Sequence, residues 1–112
     1  MELIEEIMGD VVVEIVNSDR ATINESHELR EALQRKIDAG YNKIIIDLSA
    51  CEFVDSTFLG VLVSNLKKVV KEGGDLRLVG FKPVVRSMFE LTRMFRVFAS
   101  FSDLQEAIRS FR

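Results

Sequence analysis

The sequence predicts an α/β fold, a mixed β-sheet packed with about four α-helices, within a single domain spanning residues 1–112. Three observations lead there. Short apolar runs rich in β-branched residues, such as Val11 to Val16 and Lys43-Ile44-Ile45-Ile46-Asp47-Leu48, read as buried strands. Between such runs, apolar residues recur at helical spacing, as in Leu29, Ala32, Leu33 and Ile37. The two patterns alternate in the order β-β-α-β-α-β-α-β-α. The β-α-β units require parallel neighbours, and an opening hairpin makes the sheet mixed.

Each element has a local reason. Gly9-Asp10, between Leu3 to Met8 and Val11 to Val16, suits a two-residue hairpin turn. Asn17 to Thr22 is polar and loop-like. Either Thr22 or Asn24 caps the first helix; Thr22-Ile23-Asn24-Glu25 has capping-box spacing, and Gly40 ends the helix. Glu72-Gly73-Gly74-Asp75 makes a turn into a strand carrying Leu76, Leu78 and Val79, closed by Gly80. Pro83 fits the first position of a third helix, with Val84, Val85, Met88 and Phe89 following. Val97 to Ala99 reads as an edge strand. Ser102-Asp103-Leu104-Gln105 reads as a capping box for a last helix that buries Leu104, Ala107, Ile108 and Phe111.

Composition narrows the function. At 47% hydrophobic and 29% charged residues, the chain is ordinary for a soluble domain, and its length supports one core. A net charge of −3 argues against nucleic acid as a direct partner. No apolar run approaches the roughly 20 residues of a membrane span, and no signal-peptide pattern opens the chain. The one cysteine, Cys51, reads as a small buried hydrophobe in a reducing compartment, so a cytoplasmic location is expected.

Asp55-Ser56-Thr57-Phe58-Leu59-Gly60 is the stretch that carries chemistry. It places two hydroxyls and a carboxylate where a helix begins, and a helix N-terminus accommodates a phosphate through free N–H groups and its dipole. At about 100° per residue, Leu59, Leu62, Val63, Leu66 and Val70 project to one side as the core face. Thr57, Gly60, Val61, Ser64 and Lys68 project opposite, with Phe58 on the border. Gly60 costs helix stability, so it serves either a packing contact within the chain or the close approach of a partner. Val61 is either an isolated surface residue or a partner contact. Thr57 is either a plain cap or a modifiable hydroxyl; Asp55 is the N-cap or holds the loop by an Asx turn. Lys67, Lys68 and Lys71 suit the last turn of a helix.

These residues resemble a known family. Ile44-Ile45-Ile46-Asp47-Leu48 followed by Phe53-Val54-Asp55-Ser56-Thr57-Phe58-Leu59-Gly60-Val61-Leu62 is similar to the signature of bacterial anti-sigma factor antagonists, built on the STAS domain. His27 to Leu33, Asp75 to Gly80, Glu90-Leu91-Thr92 and Ala107 resemble further family positions. The resemblance implies a STAS-like fold and a protein that binds an anti-sigma factor Ser/Thr kinase to release a sigma factor. It implies phosphorylation at Thr57, with Ser56 as the fallback, and reset by a Ser/Thr phosphatase. The implied interface comprises Asp55, Ser56, Thr57, Phe58, Gly60, Val61 and Ser64. Phe58 stands where the family has glycine, and Ser18-Asp19-Arg20-Ala21-Thr22 replaces a Gly-Glu-Leu-Asp element.

Catalysis is not expected. His27 is the one histidine and is placed on the solvent side of its helix. Metal-ligand spacing and phosphate-cradling glycine loops are absent, so neither a metal nor a cofactor is expected. The alternative reading is a STAS-type regulatory or scaffold subunit of a transport or signalling complex without sigma control.

Overall fold

The computed structural model describes residues 2–112. β1 (Glu2–Met8) and β2 (Val11–Asn17) pair antiparallel around Gly9-Asp10, in register from Glu2–Asn17 to Met8–Val11. Gly9 takes φ +66°, which suits glycine in a tight turn. The chain continues through β3 (Arg20–Ala21), α1 (Ile23–Asp38), β4 (Lys43–Asp47), β5 (Phe53–Val54), α2 (Ser56–Lys71) and β6 (Asp75–Val79). It ends with α3 (Pro83–Leu91), a 3-10 turn at Met94–Arg96, β7 (Ser100–Phe101) and α4 (Leu104–Arg109). The main sheet has the order β1-β2-β4-β6-β7, parallel from β2 onward. The expected mixed α/β architecture is present.

Alternation along the strands divides the core into two layers. Ile44, Ile46, Leu76 and Leu78 face a cluster with Leu29 and Leu33 of α1, Leu62 and Leu66 of α2, and Val85 and Phe89 of α3. Val11, Val13, Ile45 and Val79 face the other way, against Ala107 and Ile108 of α4. The edge of α1 is set by Thr22, whose backbone N–H and hydroxyl both donate to Glu25 at 2.9 Å. Pro83 opens α3 as expected.

Two expectations shift. The last strand is Ser100–Phe101 rather than Val97–Ala99, because Arg93 turns left-handed at φ +60°, a 3-10 turn follows, and Phe98 is drawn into the core. Ser102 caps nothing: Asp103 occupies the N-cap of α4 without a side-chain bond. This six-residue helix is held instead by its buried Ala107 and Ile108. Arg77 Nη1 also donates to the Ser110 carbonyl at 2.7 Å, just beyond its end.

Glu14, on β2 directly opposite Glu5 of β1, is fully buried. Burial first, and then the neighbouring Glu5, push its carboxyl up to about 9, so at neutral pH it holds a proton. Glu5 is held below its usual range by a hydrogen bond from Glu14 and by Lys36, whose Nζ lies 2.9 Å away. In the unfolded chain Glu14 returns to about 4.3. The folded state therefore binds the extra proton between those values, and its stability is full at low pH and falls as pH rises through about 9. Glu14→Gln, a neutral side chain at all pH, is expected to exceed the parent by about 1–2 kcal/mol in mildly alkaline buffer, after allowance for relaxation around the charge. Urea denaturation of both proteins across the pH range measures the gap, which should close in acid.

Candidate functional site

The site begins where β4 leaves the sheet. The Asp47 carboxylate accepts the Ser49 N–H at 2.9 Å and the Ser49 hydroxyl at 2.6 Å, closing an Asx turn. Gly80, at φ +79° after β6, leaves room for that serine; a Cβ there would land on Ser49 Oγ. Cys51 follows, buried as expected, its thiol pushed up to about 11 by desolvation. It behaves as a packing residue rather than a nucleophile.

A two-stranded parallel ladder, β3 with β5, then fixes the run into the helix. The Phe53 N–H donates to the Asp19 carbonyl at 3.0 Å, and the Asp55 N–H donates to the Ala21 carbonyl at 3.1 Å. The Arg20 guanidinium lies 4.8 Å from the centre of the Phe53 ring. Sequence patterning missed this ladder, because two residues per strand are too few to show a period.

Asp55 is the N-cap of α2: its Oδ1 accepts the Phe58 N–H at 2.9 Å. That assignment decides the roles of the two hydroxyls. Ser56 and Thr57 occupy the first and second helical positions, both are exposed, and neither side chain has a hydrogen-bond partner among the described residues. Thr57 is therefore not a cap. Their backbone N–H groups lie where a helix leaves its donors without intrahelical acceptors, beside hydroxyls that are free to react.

The expected face of α2 needs correction. Phe58 and Val61, read as border and exposed interface residues, are 0% and 1% exposed, whereas Val70, read as core, is 53% exposed. Val69 and Asn65 are buried in its place. The buried arc is turned by roughly 80° from the apolar projection, at about 100° per residue. The cause is that α2 packs on α1 as well as on the sheet. Contact with α1 draws in the Val61–Asn65 side, where Asn65 Nδ2 donates to the Val61 carbonyl at 2.8 Å. Lys68, beside that seam, reaches Gln34 of α1 at 3.0 Å.

What remains on the surface at the start of α2 is Ser56, Thr57, Gly60 and Ser64, with Asp55 half-buried beside them. These are small side chains on one rigid helix, leading to Lys67 and Lys71. Nothing lies within 4 Å of where a Cβ on Gly60 would stand, which removes packing within the chain as its reason. Gly60→Ala is expected to stabilise the protein by about 0.5–1 kcal/mol through helix propensity alone, read as a rise in Tm.

The comparisons with known proteins agree on this architecture. The STAS domain family model matches residues 4–107. A candidate anti-sigma factor antagonist of Thermotoga maritima is 32% identical over 107 residues, covering 95% of this chain and 94% of its own. A crystal structure of such a protein from the same organism superposes with a TM-score of 0.89 at 29% identity, covering 98% of this chain and 94% of that one. An anti-sigma factor antagonist from Mycobacterium paratuberculosis gives a TM-score of 0.88 at 26% identity, over 99% and 93% of the two chains. In fold alone, the chain also resembles phosphorylated SpoIIAA of Bacillus, with a TM-score of 0.78 at 18% identity over 99% and 100% of the chains.

Proposed function

Because the chain belongs to the STAS domain family, we propose that it is an anti-sigma factor antagonist switched by phosphorylation of Thr57. The observation that carries this reading is the position of Thr57 itself. It is exposed at the second position of α2, relieved of capping by Asp55, and flanked by the open surface of Gly60. In the unmodified state the face formed by Asp55, Ser56, Thr57, Gly60 and Ser64 docks on an anti-sigma factor that is also a Ser/Thr kinase. Docking frees the sigma factor. Phe58 and Val61 contribute from beneath, by holding that face in place.

Phosphorylation adds about −1.5 to −2 charge and three acceptor oxygens. The first turn of α2 offers those oxygens N–H groups and the positive end of the dipole, so the fold tolerates the modification. The partner, seated on the same face, has to bury or repel the charge. A Ser/Thr phosphatase in the same compartment, the cytoplasm, restores the docking state.

The test is incubation of the intact protein with its anti-sigma kinase and Mg-ATP, followed by mass mapping. One phosphate on Thr57, absent from Thr57→Ala, is the expected result. Transfer to Ser56 or to another element would overturn the assignment. Gly60→Ala adds a second readout: it should gain stability yet bind the kinase less tightly, since the methyl stands in the contact.

A further inference from the structure

α1 flanks the Thr57 face, and three of the side chains it presents there are idle in the fold. The two helices are tied at both ends of their shared length. Where they start, the Asp55 N–H donates to the Ala21 carbonyl at 3.1 Å; about three turns in, Lys68 Nζ donates to Gln34 Oε1 at 3.0 Å. α1 and α2 therefore run parallel with matched starts, turn beside turn. At about 100° per residue, Ile23 and Arg30 lie on the same stripe of α1 as Gln34, with His27 just outside it. Thr57 and Ser64 lie on the same stripe of α2 as Lys68, with Gly60 just outside it. Small groups on α2 thus face long side chains on α1, so the α1 ridge stands as a wall beside the low Thr57 face.

We propose that this α1 wall selects the anti-sigma factor: Ile23 receives an apolar side chain of the partner, and Arg30 receives a carboxylate. The inference rests on the reading of Thr57 as the switch and adds a second helix to its docking surface. Ile23 is 55% exposed at the first position of α1, and His27 and Arg30 are exposed. None of the three has a side-chain hydrogen bond or ion pair among the described residues. Charge indicates the partner's chemistry. The chain as a whole carries −3, yet α2 holds no acidic residue, and Lys67 and Lys71 stand exposed on the far side of the face from Arg30. Cations on both sides of a small, smooth strip suit an acidic protein surface.

This surface also gives the switch its sign. Arg30 is about two turns along from the level of Thr57, roughly 10 Å, and side chains on a helix lean back toward its start. A partner carboxylate drawn to Arg30 therefore sits close to the Thr57 hydroxyl. A phosphate there repels that carboxylate and competes with it for the same guanidinium. The charge that expels the partner and the charge that recruits it act at one place.

The experiment titrates the full chain with its anti-sigma kinase at low and high salt, and maps the phosphate formed with Mg-ATP in the same samples. Ile23→Ala should weaken binding about tenfold at either salt, as for an apolar contact. Arg30→Ala should weaken it about fivefold or more at low salt and flatten the salt dependence. Arg35→Ala, an exposed cation on the β1 side of the same helix, should bind as the parent does. All three side chains are on the surface, so each variant should keep the parent's Tm. Affinities of Ile23→Ala and Arg30→Ala within about twofold of the parent, with Thr57 still phosphorylated, would overturn the α1 wall and leave the switch standing. An equal loss in Arg35→Ala would overturn it too, by showing that general charge and not this ridge attracts the partner. Phosphate on another residue would overturn both readings.

Discussion

Thr57→Glu is expected to lose at least about a hundredfold in affinity for the anti-sigma kinase, while its stability equals or exceeds the parent's by up to about 1 kcal/mol. The two halves of that result have separate causes. Thr57 makes no side-chain hydrogen bond and is exposed, so little in the fold depends on it. A carboxylate in the first turn of a helix even gains about 0.3–1 kcal/mol from the dipole. The docked partner has no such compensation. Like-charge juxtaposition or burial of an unpaired charge costs several kcal/mol, and each 1.4 kcal/mol is about tenfold in Kd. Thr57→Ala should bind almost as the parent does. Calorimetric titration of the kinase with the three proteins decides the matter; tight binding by Thr57→Glu would sink the electrostatic switch.

Phe58→Ala carries the largest expected cost to the fold, about 3–5 kcal/mol, in the range for truncating a buried aromatic residue. Phe58 is 0% exposed and shares the core cluster of Val54, Leu62, Val85 and Phe89. Its N–H also holds the Asp55 cap at 2.9 Å, so the side chain anchors the turn that presents Thr57. Phe58→Gly should cost about 1 kcal/mol more through helix propensity. The ring thus seats the start of α2 on the core. Denaturant midpoints for both variants test this; a loss below about 1 kcal/mol would mean that the core closes over the gap.

Much of this molecule is legible without coordinates. The Lys43–Leu48 strand shows in its β-branched run, and α1 in its apolar stripe and in the Thr22–Glu25 capping box. The α2 start is marked by Asp55, a residue that accepts the N3 N–H as an N-cap should. Other features leave no local trace. β3 and β5 are two residues each and exist only as a pair. Glu14 sits in a run of valines and isoleucines, and only the β1 register shows that it meets Glu5. Its protonation is a property of that pairing and of burial beneath α1.

By itself, then, the sequence determined the order of the main-sheet strands and the four helices, the hairpin, the starts of α1 and α3, and the placing of Thr57 at a helix start. All of these depend on interactions within a few residues. The tertiary structure alone decided which side of α2 faces solvent, and therefore that Gly60 and Ser64 lie on the surface with Thr57 while Phe58 and Val61 support it from below. Helical periodicity specifies the angles between side chains but not which neighbours cover them. A helix lying on a sheet and beside a second helix is buried over an arc set by both, and no pattern within α2 records where α1 will lie.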